Sequence, residues 1–186
     1  VPFSYGLSLW DLVFEQGATP VGVETYANSR RLEKSFRLQN ADLLTEYNLV
    51  EAGLARPVVK AGDFHGKTAY LAQRDREHQP AYLCTMTMTD NKDAAGIARY
   101  PVGPCPIVDP ATREVLVDEV GRRSYATSIA YGPSVGKNIA LGYLPKAYAN
   151  EGQELLLEYF DEPFPIKVEM VGCKGLYDPE NRLPRQ

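Results

Sequence analysis

The chain has 186 residues, 44% of them hydrophobic and 24% charged, with a formal net charge of −4. That is the composition of a globular protein of one ordinary domain or two small ones. It argues against a nucleic-acid binder, which needs a basic face, and no run of ~20 apolar residues is available to span a bilayer. Three cysteines and two histidines supply neither a disulfide framework nor a spaced metal site.

Helical signals dominate as far as Arg76. Ser8 precedes Leu9, Leu12 and Val13, an i, i+3, i+4 pattern closed by Gly17. Pro20–Val23 reads as a short strand. Glu24–Phe36 reads as a second helix. Tyr26, Ala27, Leu32 and Phe36 are its apolar positions, with Arg30, Arg31 and Lys34 on the other sides. Asp63 suits the N-cap of a third helix over Gly66–Arg74. The polar stretch Asp75–Pro80 then reads as a linker.

Strand signals follow. Tyr82–Met88 alternates apolar and polar residues, as a half-buried strand does. Pro106–Val108, Val115–Val120, Tyr125–Tyr131, Asn138–Tyr143, Glu154–Phe160 and Pro165–Val171 are further candidates. Turns are expected at Asp109–Thr112, Gly132-Pro133, Asn150–Gly152 and Asp161–Pro163. This half is expected to form a small antiparallel barrel or sandwich, with Tyr177–Gln186 as a polar surface strap. Cys84, inside an apolar run, reads as a small core residue. The odd cysteine count, with Cys105 and Cys173 far apart, suits a reducing compartment: cytoplasm, or mitochondrial matrix in a eukaryote. A start at Val1 suggests a piece of a longer polypeptide.

Few motifs carry chemistry. Gly132-Pro-Ser-Val-Gly136-Lys137-Asn138 is close to a phosphate-binding loop. However, its glycines are one residue too close, and Asn138 stands where a magnesium-binding hydroxyl is needed. A tight turn between strands fits better. No dinucleotide-binding fingerprint and no nucleophile elbow occur. His65 reads as an exposed or capping residue, and His78 lies in the linker. Glu33 is the carboxylate that stands out. On a helix facing a cleft it would accept two parallel hydrogen bonds from an amino-pyrimidinone edge. Its spacing alone favours an ordinary surface pair with Arg30 or Lys34.

Five stretches in order then carry a resemblance. Arg31-Leu-Glu-Lys-Ser-Phe-Arg37, Leu49-Val-Glu-Ala-Gly-Leu54, Asp63-Phe-His-Gly-Lys67, Gly136-Lys-Asn-Ile-Ala-Leu-Gly-Tyr143 and Tyr177-Asp-Pro-Glu180 resemble the folate-binding part of dimethylglycine and sarcosine dehydrogenases. These share their fold with the glycine-cleavage T-protein, an aminomethyltransferase. Ser35 stands where that family has glycine, Gln39-Asn40 where it has an aromatic-glycine pair, and His65 where it has an aliphatic residue. The resemblance implies an α+β chain. Residues 1–79 would end a T-protein-like folate-binding domain, and 80–186 would form a C-terminal antiparallel β-barrel.

The resemblance also implies tetrahydrofolate as the ligand of this region. Glu33 would recognise the pterin and Tyr26 would line the same pocket. The parent protein would oxidise a small N-methyl amine on an FAD domain upstream of Val1, and no catalytic residue falls within these residues. A stand-alone aminomethyltransferase, a folate-dependent demethylase, or a structural module that kept the fold are the alternatives.

Overall fold

A computed structural model of the chain describes residues 1–172 and 174–183. Cys173 and residues 184–186, the end of the expected strap, lie outside the described residues. Six strands close into one antiparallel barrel in the order β1-β4-β3-β2-β5-β6. They are β1 (Ala81–Met88), β2 (Cys105–Val108), β3 (Tyr125–Gly132), β4 (Lys137–Pro145), β5 (Glu154–Tyr159) and β6 (Glu162–Val171). The expected antiparallel barrel is therefore what forms. Closure leaves no unpaired sheet edge.

The barrel interior is filled from all six strands, by Cys84, Met86, Ile107, Ala126, Leu144, Leu155, Leu157, Phe164, Ile166 and Val168 among others. Burial pushes the Cys84 thiol up to about 12, so it stays an inert core group. At Gly142 the space is full: a Cβ there would lie 2.7 Å from the Tyr125 carbonyl and 3.1 Å from Ile107 Cδ1.

A second apolar cluster sits outside the barrel, on the other face of β1 and β4. Leu83, Ile139, Leu141 and Tyr143 meet Leu32 and Ala52 there. This explains one departure from the sequence reading. The alternation over Tyr82–Met88 predicts one wet face, yet Thr85 and Thr87 are buried. Their hydroxyls are satisfied by the hydroxyl of Ser35 and the carboxylate of Glu169. The chain that precedes the barrel lies over that face.

Helices are few. The first, α1 (Gly6–Glu15), buries none of its side chains. Leu9, Leu12 and Val13 are all exposed, so its expected apolar stripe meets no partner among the described residues. Pro20–Val23 forms no strand, because no second strand hydrogen-bonds to it. The expected helix over 24–36 is shorter and wider. It runs as a π-helical turn (Thr25–Arg30) into α2 (Arg31–Glu33), and Ser35 at φ 53° ends it. Tyr26 and Phe36, expected on its apolar side, are exposed, whereas Arg31 is buried.

The third helix, α3 (Lys67–Arg74), has Gly66 at its N-cap with φ 83°. Asp63 instead accepts only the amide of Phe64. The expected strand Val115–Val120 reduces to two isolated bridges, Val108 to Val115 and Val117 to Arg123. Between them Asp118 gathers the amides of Val120 and Arg122 into a turn, which leaves too few residues for a ladder. The turn expected over Asp161–Pro163 lies one residue earlier. Phe160 and Asp161 both take positive φ, the two-residue hairpin geometry that matches strand twist, and Glu162 already pairs with Tyr159. No helix among the described residues is long and apolar enough to cross a membrane.

Candidate functional site

The Arg30–Lys34 stretch is anchored by every one of its residues. Arg31 turns inward because Asp42 waits there. Its Nη1 donates to Asp42 Oδ2 at 2.7 Å and its Nη2 to Ser128 Oγ on β3 at 2.7 Å. Asp42 is fully buried. It also accepts the Leu38 amide and the hydroxyls of Thr127 and Ser128, and its backbone carbonyl accepts Tyr143 Oη. Leu32 fills the outer apolar cluster.

Glu33 is 1% exposed, so it is not the surface residue its spacing suggested. Its Oε1 accepts the backbone N–H of Ser134 at 2.5 Å, in the turn that joins β3 to β4. Its Oε2 accepts Arg30 Nη1 at 3.0 Å, and the same Nη1 donates to Ser134 Oγ at 2.5 Å. The phosphate-loop lookalike is thus a tight turn, as expected, and its job here is to hold a carboxylate. Gly132 makes the approach possible: a Cβ there would lie 3.1 Å from Glu33 Cγ and 2.5 Å from Ile139 Cδ1.

Behind Glu33 the tail returns. The Glu33 carbonyl accepts the amides of Leu176 and Tyr177 at 2.8 and 3.0 Å, and a Cβ on Gly175 would stand 2.8 Å from Lys34 Cα. Lys34 then holds the strap, donating to the carbonyl and carboxylate of Asp178 and to Asn181 Oδ1. Burial alone would raise the Asp178 carboxyl, but the Arg182 amide and Lys34 outweigh it and hold it below the usual range. A depressed carboxylate stabilises above its unfolded value and loses that stabilisation as pH falls through the folded one. The described part of the strap therefore holds at neutral pH and loosens only in acid.

Of the two residues singled out from the sequence, Glu33 is at the centre of this arrangement. Tyr26 is exposed on the π-helical turn seven positions earlier. Sequence reasoning missed Asp42, Ser134 as an amide donor, and the stack of Arg122 over Tyr47 over Tyr143 that Glu51 and Asp118 complete. Two of the sequence departures noted above now have a backbone reason. Ser35 and Asn40 take left-handed φ of 53° and 65°, the conformation that glycine most readily adopts. Serine is held there by its hydroxyl bond to Thr85, and asparagine tolerates the conformation well. Gln39 and Asn40 line an open cavity of about 470 Å³ with Leu43, Tyr47 and Ala52.

The closed six-stranded barrel that carries this clamped segment on its outer face is similar to the T-protein C-terminal barrel. Residues 103–172 match the family described as the glycine cleavage T-protein C-terminal barrel domain. The chain is similar to the aminomethyltransferase of Thermosynechococcus vestitus, 32% identical over 171 residues, covering 90% of this chain and 41% of that protein. It is also similar to the aminomethyltransferase of Francisella tularensis, 28% identical over 172 residues, covering 88% and 43%. The crystal structure of the glycine cleavage system aminomethyltransferase T from Bartonella henselae shares the fold. Its TM-score is 0.60 at 22% identity, covering 77% of this chain and 36% of that one. The chain thus spans about two fifths of the length of these curated relatives.

Proposed function

We propose that this chain is the tetrahydrofolate-binding part of a one-carbon-transfer protein and that Glu33 recognises the pterin. The observation that carries the reading is the buried Glu33 carboxylate. A carboxylate offers about four lone-pair sites, and the chain itself uses two, one on each oxygen. Oε1 keeps an acceptor position and Oε2 offers one once the half-exposed Arg30 moves aside, which matches the two parallel N–H donors of an amino-pyrimidinone edge. The Ser134 amide holds the carboxylate directly, while the Leu176 and Tyr177 amides on the Glu33 carbonyl and the neighbouring buried Leu32 fix the backbone that carries it. A fixed acceptor orients a ligand without an ordering cost at the moment of binding. The aminomethyltransferase relatives support the substrate class.

The test is calorimetric titration of the complete protein with 5-formyltetrahydrofolate, a stable reduced folate. Glu33→Ala is expected to weaken binding by about 1.5–3 kcal/mol, the range for a hydrogen bond to a charged acceptor. Glu33→Gln, which keeps an acceptor for the Ser134 amide, controls for folding. Equal affinity in wild type and Glu33→Ala would overturn Glu33 as the pterin-recognising residue, and no binding by either would favour a structural module that kept the fold.

For the whole polypeptide the proposed activity is oxidation of a small N-methyl amine by a flavin-bearing region, with the one-carbon unit passed to folate held here. A stand-alone aminomethyltransferase or folate-dependent demethylase is the alternative. The sequence motifs favour the first, and their residues Lys34 and Asp178 form an ion pair. The lysine after Arg-Leu-Glu and the closing Tyr-Asp-Pro-Glu are the two features that point to the dehydrogenase branch, and they meet as one device. The complete protein is expected to purify with a flavin absorbance band and to reduce that flavin on adding an N-methyl amine. Full folate-dependent activity in a colourless protein would establish the transferase instead.

A further inference from the structure

Arg30 covers the one buried carboxylate of this region that is proposed to meet a ligand. Its side chain is 49% exposed, whereas that of Glu33 is 1% exposed. Its hydrogen bonds go to Glu33 Oε2 at 3.0 Å and to Ser134 Oγ at 2.5 Å, both at the same spot. Glu33 Oε1 is held separately, by the Ser134 amide. Moving Arg30 therefore uncovers Oε2 without releasing the carboxylate. The exposed guanidinium can swing into water, where it is well solvated, and a half-exposed pair is held only weakly.

We propose that Arg30 is a displaceable latch on Glu33. In the unliganded protein it lies over Oε2. A ligand that presents a neutral edge with two parallel N–H donors displaces it, takes both oxygens of Glu33, and leaves Arg30 tethered near Ser134 at the rim. Arg30 is thus a positioning and specificity residue. A single-donor ligand gains too little to open the latch, whereas a two-donor edge replaces the lost bond and adds another. This rests on the folate reading of Glu33, and it makes a prediction opposite in sign to ordinary loss of a binding residue. The competent, unlatched state is a minority, so apparent affinity is reduced by its fractional population. Removing the latch tightens binding.

The experiment titrates the complete protein with 5-formyltetrahydrofolate by calorimetry. Arg30→Met, which keeps a stem of similar length, is expected to bind about two- to fivefold tighter than wild type, the span of a weak exposed ion pair. Ser134→Ala removes the second anchor of Arg30 but keeps the amide on Oε1. It is expected to tighten binding by a smaller factor, and it serves if Arg30→Met fails to fold. The gap between wild type and Arg30→Met should also close between ~0.01 and ~1 M salt, because screening opens the latch in wild type. A merely structural role for Arg30 would show none of this.

Unchanged or weaker binding in both variants, with wild type binding normally, overturns the latch and leaves the folate reading intact. Binding by the variants where wild type binds undetectably supports it strongly. If wild type and both variants fail to bind, the folate reading itself has failed and the latch goes with it.

Discussion

Asp42→Ala is expected to destabilise the protein by about 3–5 kcal/mol, the cost of removing one partner of a buried ion pair. The site shows why the upper half of that range is apt. Asp42 has no exposure and accepts four donors: Arg31 Nη1, the Leu38 amide and the hydroxyls of Thr127 and Ser128. Deleting the carboxylate strands a guanidinium that is itself only 8% exposed. The measurement is urea unfolding. The midpoint should fall sharply with little change in slope, because the surface exposed on unfolding is the same. Asp42→Asn should fall between, since it keeps one carbonyl acceptor but loses the charge. The paired change Arg31→Met with Asp42→Leu is expected to recover most of the loss, because an apolar pair of similar volume removes both desolvation costs. A single Asp42→Ala change costing under ~1 kcal/mol would mean that water reaches Arg31 and the pair is not buried in solution.

That pair also marks where sequence reading runs out. The barrel was legible because its signals are local. Alternation in Tyr82–Met88 and turn residues around Gly132-Pro133 each predict one element, and five of the six strands fall near their expected bounds. The sixth, β6, begins earlier than expected because the hairpin needs only Phe160 and Asp161. Val115–Val120 looked like a strand by composition, but a ladder requires a partner of matching length, which no local pattern encodes.

The site was legible only in part. Glu33 could be singled out from its motif. Its burial could not, because Arg30 and Lys34 at i−3 and i+1 are the residues that make a carboxylate look like a surface pair. What buries it is a turn 101 positions later and a tail that lies beyond the last strand. Asp42 gave no signal at all, since its four acceptor bonds reach α2, a loop and β3. The helix α1 is the converse case. Its apolar spacing was plain, but periodicity says that a face wants covering and not what covers it.

The Leu32→Ala change tests whether the clamped segment and the barrel are one cooperative unit. Leu32 is fully buried between Arg31 and Glu33 in sequence, and against Leu83, Ile139, Leu141 and Tyr143 in space. Truncating a fully buried leucine costs about 2–5 kcal/mol, the larger values where the cavity cannot collapse. Here collapse is resisted on both sides. Arg31 is pinned to Asp42 and Ser128, and Glu33 to Ser134 and to the tail amides, so the backbone cannot settle into the void. A loss of about 3–4 kcal/mol is the expected result. Its distribution is the more telling quantity. The barrel interior is a separate cluster fed by all six strands and does not include Leu32. Amides of residues 25–53 should therefore exchange with solvent much faster in Leu32→Ala. Those of β2 and β5, which face away from this cluster, should keep nearly their wild-type protection. If exchange instead accelerates equally across all strands, the segment and barrel unfold together, and Glu33 is held by the global fold and not by a locally stable clamp.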